Sequence, residues 1–473
     1  MSVDEIAKQL TIAQRPTPGV PRPYLFPPFE RTRLANGLTV IAVHMAGRPL
    51  LAGAFIVSGG ASDEPQGEAG ATVLMARALT EGTTRHDAVA LVEATERLGA
   101  SLHVEAGWDA LSVTLDVPAA RLPALLDVVA EVVAEPTFPS AEIDRLRDER
   151  LNDLLQAAAD PRRRAEEAFI ETIYAPTSPY RHPAAGLRGT VEKLDADAAR
   201  RALARLFDPA RMTLIVGGDL TDLDVPALAS ERFASWQADP DASAPRVPDA
   251  SPASRERRIR VIHRPGDVQT EIRVGHPGLP RLIPDYHSVS VMSALLGGLF
   301  NSRLNHKLRE EKGYTYGAGA GFDFRRAAGP FSARAAVNTD VTVPALQDLL
   351  AELDGIRSAP VSADELASAR DFLVGVFPLR FETPGAVVGA ISGLVIQGLP
   401  DDELVRYRAQ IEAVTPDAVL AAAQAHIRPD EAAIVLVGDA DAFLPALEAA
   451  GMAPISVDRE AGSPPEAAGH VTD

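Results

Sequence analysis

The sequence predicts an α+β protein of two tandem homologous domains, each an antiparallel sheet covered by helices on one face, together forming half a clam shell. Three observations lead to this prediction. The chain has 473 residues, more than one domain usually holds. Segments of the first half recur in the second at a nearly constant offset. Within each half, strand-like segments come in pairs and helix-like segments are grouped between them.

The repeat is visible in three pairs of segments. FDPARMTLIVGGDL starts at Phe207 and IRPDEAAIVLVGDA starts at Ile427, and both read as a turn, an apolar strand and Gly-Asp. RLPALLDVVAEV resembles TVPALQDLLAEL, and SAEIDRLRDE resembles SADELASARD. Because prolines and the Gly-Asp pair align as well as the apolar residues, shared helix composition alone does not explain the match. We interpret the chain as a tandem duplication.

The elements of the first half follow from local patterns. LTVIAVH and LAGAFIVS have the apolar character of half-buried strands, and SLHVEAGWDALSVTLDV predicts a hairpin around Gly107. HDAVALVEATERLG is amphipathic and ends at Gly99, as a helix with a glycine cap does. Three further segments are predicted to form helices: GATVLMARALTEGT, PALLDVVAEVV and SAEIDRLRDERLNDLL.

Composition shifts divide the chain further. Proline-rich and polar stretches precede the first repeat, separate the two repeats and follow the second. The predicted divisions are an N-terminal arm at 1–28, a first domain at 29–236, a linker at 237–256, a second domain at 257–450 and a tail at 451–473.

Charge and composition exclude several classes of function. The formal net charge of −19 repels phosphate backbones and anionic lipids, so neither nucleic acid nor membrane is expected as a partner. The absence of cysteine excludes disulfides, thiolate zinc sites and cysteine nucleophiles. The first residues lack a basic start followed by an apolar run, so we expect a cytoplasmic protein, or a periplasmic one if a signal has been removed.

The sequence contains no self-contained catalytic motif of the kinds considered below. The chain has ten histidines, and no two are three or four positions apart, so no helix offers a paired imidazole face to a metal. There is no Gly-x-Ser-x-Gly elbow and no Gly-Lys-Ser/Thr phosphate loop. GAGAGF lacks the third glycine of a dinucleotide fingerprint and precedes a strand, so it is not a nucleotide site.

One distinctive segment remains, FNSRLNHKLREEKGYTYGAGAGFDF in the second half. A basic helix ends at Gly313, Tyr314 and Tyr316 follow, and a glycine-rich strand comes next. Arg309 at the helix end and Tyr316 at the strand start can direct a guanidinium and a phenol at one carbonyl oxygen. The alternative is a helix end stabilised by its cations, with tyrosines at a sheet edge.

The two halves together resemble the pitrilysin/insulinase family of zinc peptidases, the inverzincins, especially short bacterial members related to the mitochondrial processing peptidase. Aligning VSGGASDEPQGEAGATVLMARALTEGT with the catalytic segment of that family places the histidines of H-x-x-E-H on Val73 and Arg77 and its glutamate on Ala76. The third metal ligand falls near Asp153. The resemblance therefore implies a degenerate metal site that binds no zinc.

The second signature of the family is retained, since RLNHKLREEKGYTYG contains an arginine and a tyrosine seven positions apart. The resemblance implies that Arg309 and Tyr316, and possibly Tyr314, bind substrate carbonyls or stabilise an oxyanion. It further implies a metal-free subunit of a heterodimeric zinc endopeptidase, with zinc in a homologous partner and a peptide or unfolded protein as substrate. A purely structural role and peptide binding without proteolysis remain alternatives.

Overall fold

Two six-stranded sheets organise the part of the chain that this computed structural model describes, residues 23–239 and 246–459. The strands of the first sheet are β1 (Glu30–Arg33), β2 (Thr39–His44), β3 (Leu50–Ser58), β4 (Ser101–Ala106), β5 (Ala110–Pro118) and β6 (Met212–Gly218). The strands of the second sheet are β7 (Arg258–His263), β8 (Gln269–Pro277), β9 (Ala318–Phe322), β10 (Pro330–Asn338), β11 (Ala433–Gly438) and β12 (Ile455–Arg459).

Both sheets have the same layout. The strand order is β1-β2-β6-β3-β5-β4 in the first sheet and β12-β7-β11-β8-β10-β9 in the second. The predicted α+β class and the tandem duplication are confirmed. The sheets are mixed, however, because β2 pairs with β6 in parallel, as β7 does with β11. Long helical connections separate these strands in the chain, which makes parallel pairing possible where short hairpins could not.

Helices fill the connections in the same order in both halves. The first half contains α1 (Ala71–Ala78), α2 (Ala88–Arg97), α3 (Leu122–Ala134), α4 (Ser140–Ala159), α5 (Pro161–Ile173), α6 (Arg188–Val191), α7 (Ala196–Leu206) and α8 (Val225–Phe233). The second half contains α9 (Tyr286–Ser293), α10 (Arg303–Asn305), α11 (Thr342–Ser358), α12 (Ala363–Val376), α13 (Pro384–Gln397), α14 (Glu403–Glu412), α15 (Pro416–His426) and α16 (Ala440–Ala450). Segments of π-helix, Ala294–Gly298 and His306–Glu311, follow α9 and α10.

Each half lends one helix to the other. Phe169 of α5 packs with Ile262 and Val435 of the second sheet, and Val388 of α13 packs with Ile215 of the first sheet. The expectation that helices cover one face only is therefore wrong. Both faces of these sheets are apolar, and the exchanged helices bury the face that each half cannot cover by itself.

Polar contacts fix the exchanged helices in place. The guanidinium of Arg273 on β8 is 2% exposed and donates hydrogen bonds of 2.8 Å to Glu166 of α5 and to Glu271. Arg325 of the second half lies over the rings of Trp108 and Tyr180 of the first, 5.1 and 4.6 Å from their centroids. The two halves are thus joined by apolar packing and by charged contacts.

The ends of the described chain refine the predicted divisions. Ile455–Arg459 lies within the predicted tail but forms β12, which pairs with the edge strand β7 and extends the second sheet. Phe26, in the predicted arm, is buried together with residues of α13. Most of the arm and part of the linker lie outside the described residues, and the remaining boundaries stay predictions.

Among the described helices, none is by itself long and apolar enough to cross a membrane; the segments Ala363–Phe381 and Pro384–Gln397, bent by 115°, reach that length and composition only as a pair.

Candidate functional site

The retained signature forms a short irregular helix that leads into the edge strand β9. The π-helical segment His306–Glu311 is followed by a turn at Gly313, whose φ of +64° suits glycine. The buried side chain of Asn305 accepts the N–H of Ala318 at 2.8 Å and donates to Leu299 at 3.3 Å. This amide fixes where β9 begins, and therefore where the residues just before it lie.

Arg309 and Tyr316 are both accessible to solvent, and no hydrogen bond between them is found in the part of the chain that the structure describes. The guanidinium of Arg309 lies 4.6 Å from the ring centroid of Phe300 and 3.6 Å from Glu310. Tyr316 is 93% exposed, and its hydroxyl has no hydrogen-bond partner among the described residues. Tyr314 is half-buried, and its ring packs against the hydrophobic core of the second half. In this segment the guanidinium of Arg309 and the phenol of Tyr316 are accessible to solvent, while Tyr314 is mainly a packing residue.

Phe300 and Asn305 were not among the residues predicted to form the site, although both help to shape this segment. Phe300 is 73% exposed and supports Arg309 through its ring face. Asn305 is buried between two leucines of the apolar helix face. A polar amide on an apolar face is the signal in the sequence that could have identified it.

The degenerate metal positions lie together on α1 and α4 but offer no ligand set. Ala76 is buried in the first core, and Val73 lines a cavity of about 20 Å³, enough for roughly one water. Arg77 donates a 2.6 Å hydrogen bond to Glu149. Valine, alanine and arginine supply no zinc donor.

Asp153, the remaining carboxylate at this site, is held by arginines. It accepts hydrogen bonds from Arg150 and, at 2.8 Å, from Arg163. Partial burial by itself would raise the pKa of Asp153, but these two guanidinium groups hold it below its usual range. The donor set therefore does not fit a catalytic zinc ion.

A partly buried carboxylate and a glycine hold α1 in place. Glu64 accepts the backbone N–H groups of Gly70 at 2.9 Å and Thr72 at 2.6 Å, at the start of the helix. Burial raises the pKa of Glu64 to about 7 despite these two hydrogen bonds. Gly70 has a φ of +99°, and a Cβ there would lie 2.8 Å from the carbonyl oxygen of Ala185. Although the predicted metal positions supply no donors, the helix has a closely packed position.

One cluster in the described residues has the composition of a metal site: His263, Asp439 and Asp441. Its counterpart in the first half shows that the contacts are structural. Nδ1 of His263 accepts the N–H of Ala440 at 3.1 Å, as Nδ1 of His44 accepts that of Leu220 at 3.1 Å.

The aspartates of the two repeats also match. Asp439 accepts the N–H of Gly266 at 3.0 Å, and Asp219 accepts that of Gly47 at 2.8 Å. Asp441 is moreover engaged by Arg459 at 2.8 Å. The histidine–aspartate pair is a repeated connection between a strand end and the following turn.

Comparison with known proteins matches both halves. Residues 40–182 match the insulinase (peptidase M16) family, and residues 193–373 match the peptidase M16 inactive domain. An uncharacterized zinc protease of Streptomyces coelicolor is 25% identical over 404 residues, covering 84% of this chain and 86% of the relative. The non-peptidase homolog YmxG of Helicobacter pylori is 24% identical over 347 residues, covering 72% and 78%.

A solved structure agrees with these matches. The peptidase M16 inactive domain from Pseudomonas fluorescens superposes with a TM-score of 0.80 at 25% identity, covering 87% of this chain and 98% of that chain. The names of the relatives include both a zinc protease and a non-peptidase. The residues at the metal positions, and not overall similarity, therefore distinguish between the two.

Proposed function

Because the chain belongs to the insulinase (M16) peptidase family and lacks the donors for a catalytic zinc ion, we propose that it is the metal-free subunit of a heterodimeric zinc endopeptidase. In this proposal, a homologous subunit carries the zinc ion and holds the peptide. The present chain closes the chamber and brings Arg309 and Tyr316 to the substrate. Their hydrogen-bond donors would bind peptide carbonyls or the oxyanion that forms during hydrolysis.

The observation that carries the proposal is the exposure of Tyr316. A tyrosine that is 93% exposed contributes little to packing, yet it stands at the start of a strand whose position Asn305 fixes. Arg309 is supported by Phe300 on the same segment. Tyr316 has no hydrogen-bond partner among the described residues, and Arg309 contacts only neighbours on its own segment, so both donors are suited to bind a group from outside the chain.

The test combines this chain with the zinc-bearing homologue encoded in the same genome. Hydrolysis of an unstructured peptide is measured for each chain alone and for the mixture, together with the zinc content of each. We expect hydrolysis only in the mixture and zinc only in the homologue. Arg309→Ala should lower kcat/KM by about 100-fold, the effect of losing one donor to a developing oxyanion. Tyr316→Phe should lower it by about tenfold, the effect of losing one neutral hydrogen bond.

Lys312→Ala is the matched control, because it removes an exposed cation from the same helix end and should leave kcat/KM unchanged. Full activity of the homologue alone would contradict the proposal. If the two chains form a complex but Arg309→Ala and Tyr316→Phe have no effect on hydrolysis, a purely structural subunit is the better description. Peptide binding by this chain without any active mixture would favour the binding role.

A further inference from the structure

A cavity of about 390 Å³ lies on the face of the second sheet that α5 covers. Part of its lining is Gly317–Gly319, which directly follow Tyr316 in the sequence. Glycines form one wall, and charged side chains form the other. The residues on which the argument rests are Gly317, Gly319, Arg162, Arg273, Arg334 and Glu271. We call this cavity the arginine cavity.

Two arginines of the cavity lie directly opposite each other in the sheet. Arg334 on β10 is paired with Arg273 on β8, and on its other side with Gly319 on β9. Like charges at directly opposed positions destabilise a sheet. The charge of Arg273 is balanced by Glu166 and Glu271. Arg334 is exposed and has no hydrogen bond or ion pair to any residue in the described ranges.

The third arginine is also placed unfavourably. Arg162 is exposed in the first turn of α5, where the positive end of the helix dipole disfavours a cation. Within 23–239 and 246–459 no acceptor or carboxylate engages it. An anion bound between Arg162 and Arg334 would therefore improve the electrostatics of both side chains.

The repeat shows that this charge is not part of the shared architecture. The residues of the first half at the same strand positions as Arg334 and Arg273 are Thr114 and Ala54, which also pair directly. Two arginines occupy that position only in the second half, which carries the proposed substrate-binding segment. The cavity is thus a local cationic site in a chain with a formal net charge of −19.

We propose that the arginine cavity binds a carboxylate of the peptide whose backbone passes Tyr316. This inference rests on the proposed function, because it places the peptide at that tyrosine. Gly317 and Gly319 have no side chains, so a peptide backbone can approach β9 closely. The guanidinium groups of Arg162 and Arg334 then donate hydrogen bonds to the carboxylate. They bind a carboxylate more strongly than they bind a neutral amide. The substrate class is a peptide with an acidic residue, or a C-terminus, near its contact with Tyr316.

The test uses the active mixture with short peptides that are acetylated, amidated and identical except for one glutamate, moved along the chain and compared with glutamine at each position. At one position, the glutamate peptide should have a kcat/KM about tenfold higher, the effect of one charged hydrogen-bonded contact. Arg162→Gln with Arg334→Gln should reduce this preference to about twofold or less. A glutamine peptide with a free C-terminus distinguishes a terminal carboxylate from a side-chain carboxylate.

Arg97→Gln with Arg188→Gln is the control, because it removes two exposed cations from the first half and should leave the glutamate preference intact. Loss of hydrolysis in Arg309→Ala, with an unchanged glutamate preference in the cavity variant, would overturn this inference alone. An unchanged rate in Arg309→Ala would instead contradict the proposed function. The absence of any preference for glutamate or a free C-terminus would also overturn the inference.

Discussion

At the residue scale, His276 shows how burial fixes a protonation state. The ring is 3% exposed; Nε2 accepts the N–H of Arg428 at 3.1 Å, and Nδ1 donates to the carbonyl of Pro277 at 2.9 Å. Burial, followed by the charge of Arg428, lowers the pKa of His276 to about 4. The neutral ring is therefore the form that the fold accommodates.

We expect His276 to make the fold sensitive to acid. Its pKa is lower in the folded chain than the usual 6.5, so the unfolded chain binds the proton first as the pH falls. The contribution of His276 to the free energy of unfolding is complete above about pH 6.5. It falls by about 3 kcal/mol between about pH 6.5 and about pH 4. Urea unfolding of wild type and His276→Gln at several pH values measures this, with the variant losing less stability on acidification.

His306→Gln is the matched control, because it makes the same replacement at an exposed position and leaves the buried His276 in place. Parallel stability curves for wild type and His276→Gln would show that His276 does not carry the effect.

At the scale of single elements, α1 is held in place by contacts that involve no metal donor. Glu64 caps the helix, Gly70 allows it to approach Ala185, and Leu74 and Met75 are buried in the first core. These contacts do not depend on a metal ion. The element can therefore serve as a packing helix although the predicted metal positions supply no donors.

Replacement of Gly70 by alanine should destabilise the chain by about 3 kcal/mol, because positive φ is costly and the new Cβ would meet the backbone of Ala185. Gly67→Ala is a close control. Gly67 also has a positive φ, +93°, but a Cβ there has no neighbour within 4 Å, so only the φ penalty of about 1 kcal/mol applies. Thermal and urea unfolding compare the two, and equal losses would contradict the close-packing argument.

At the scale of the whole molecule, the exchange of α5 and α13 couples the two halves. Each helix is covalently part of one half and packs on the sheet of the other. Relative motion of the halves would expose both apolar faces and separate Arg273 from Glu166. We therefore expect the described chain to act as one rigid body, so that in the proposed heterodimer any opening would take place between the two subunits.

Phe169→Ala tests this coupling, because Phe169 belongs to the first half but is buried against the second sheet. We expect a loss of about 3–5 kcal/mol and faster amide hydrogen exchange in β8 and β11. Phe233→Ala removes an equally buried ring from the first core and should affect the first sheet most. Exchange changes confined to the first half in both variants would show that the halves are not coupled in this way.

The sequence alone determined the features that are local or repeated in the chain. These are the duplication, the presence of residues without metal-donor atoms at the predicted metal positions Val73, Ala76 and Arg77, and the seven-residue spacing of Arg309 and Tyr316, because each can be read from residue type and position. Only the tertiary structure decided which half each helix covers, that Arg334 faces Arg273, and that Tyr314 packs while Tyr316 stays exposed. Those contacts join residues far apart in the chain, and burial of apolar surface on the second face of each sheet selects them; local periodicity carries no record of that choice.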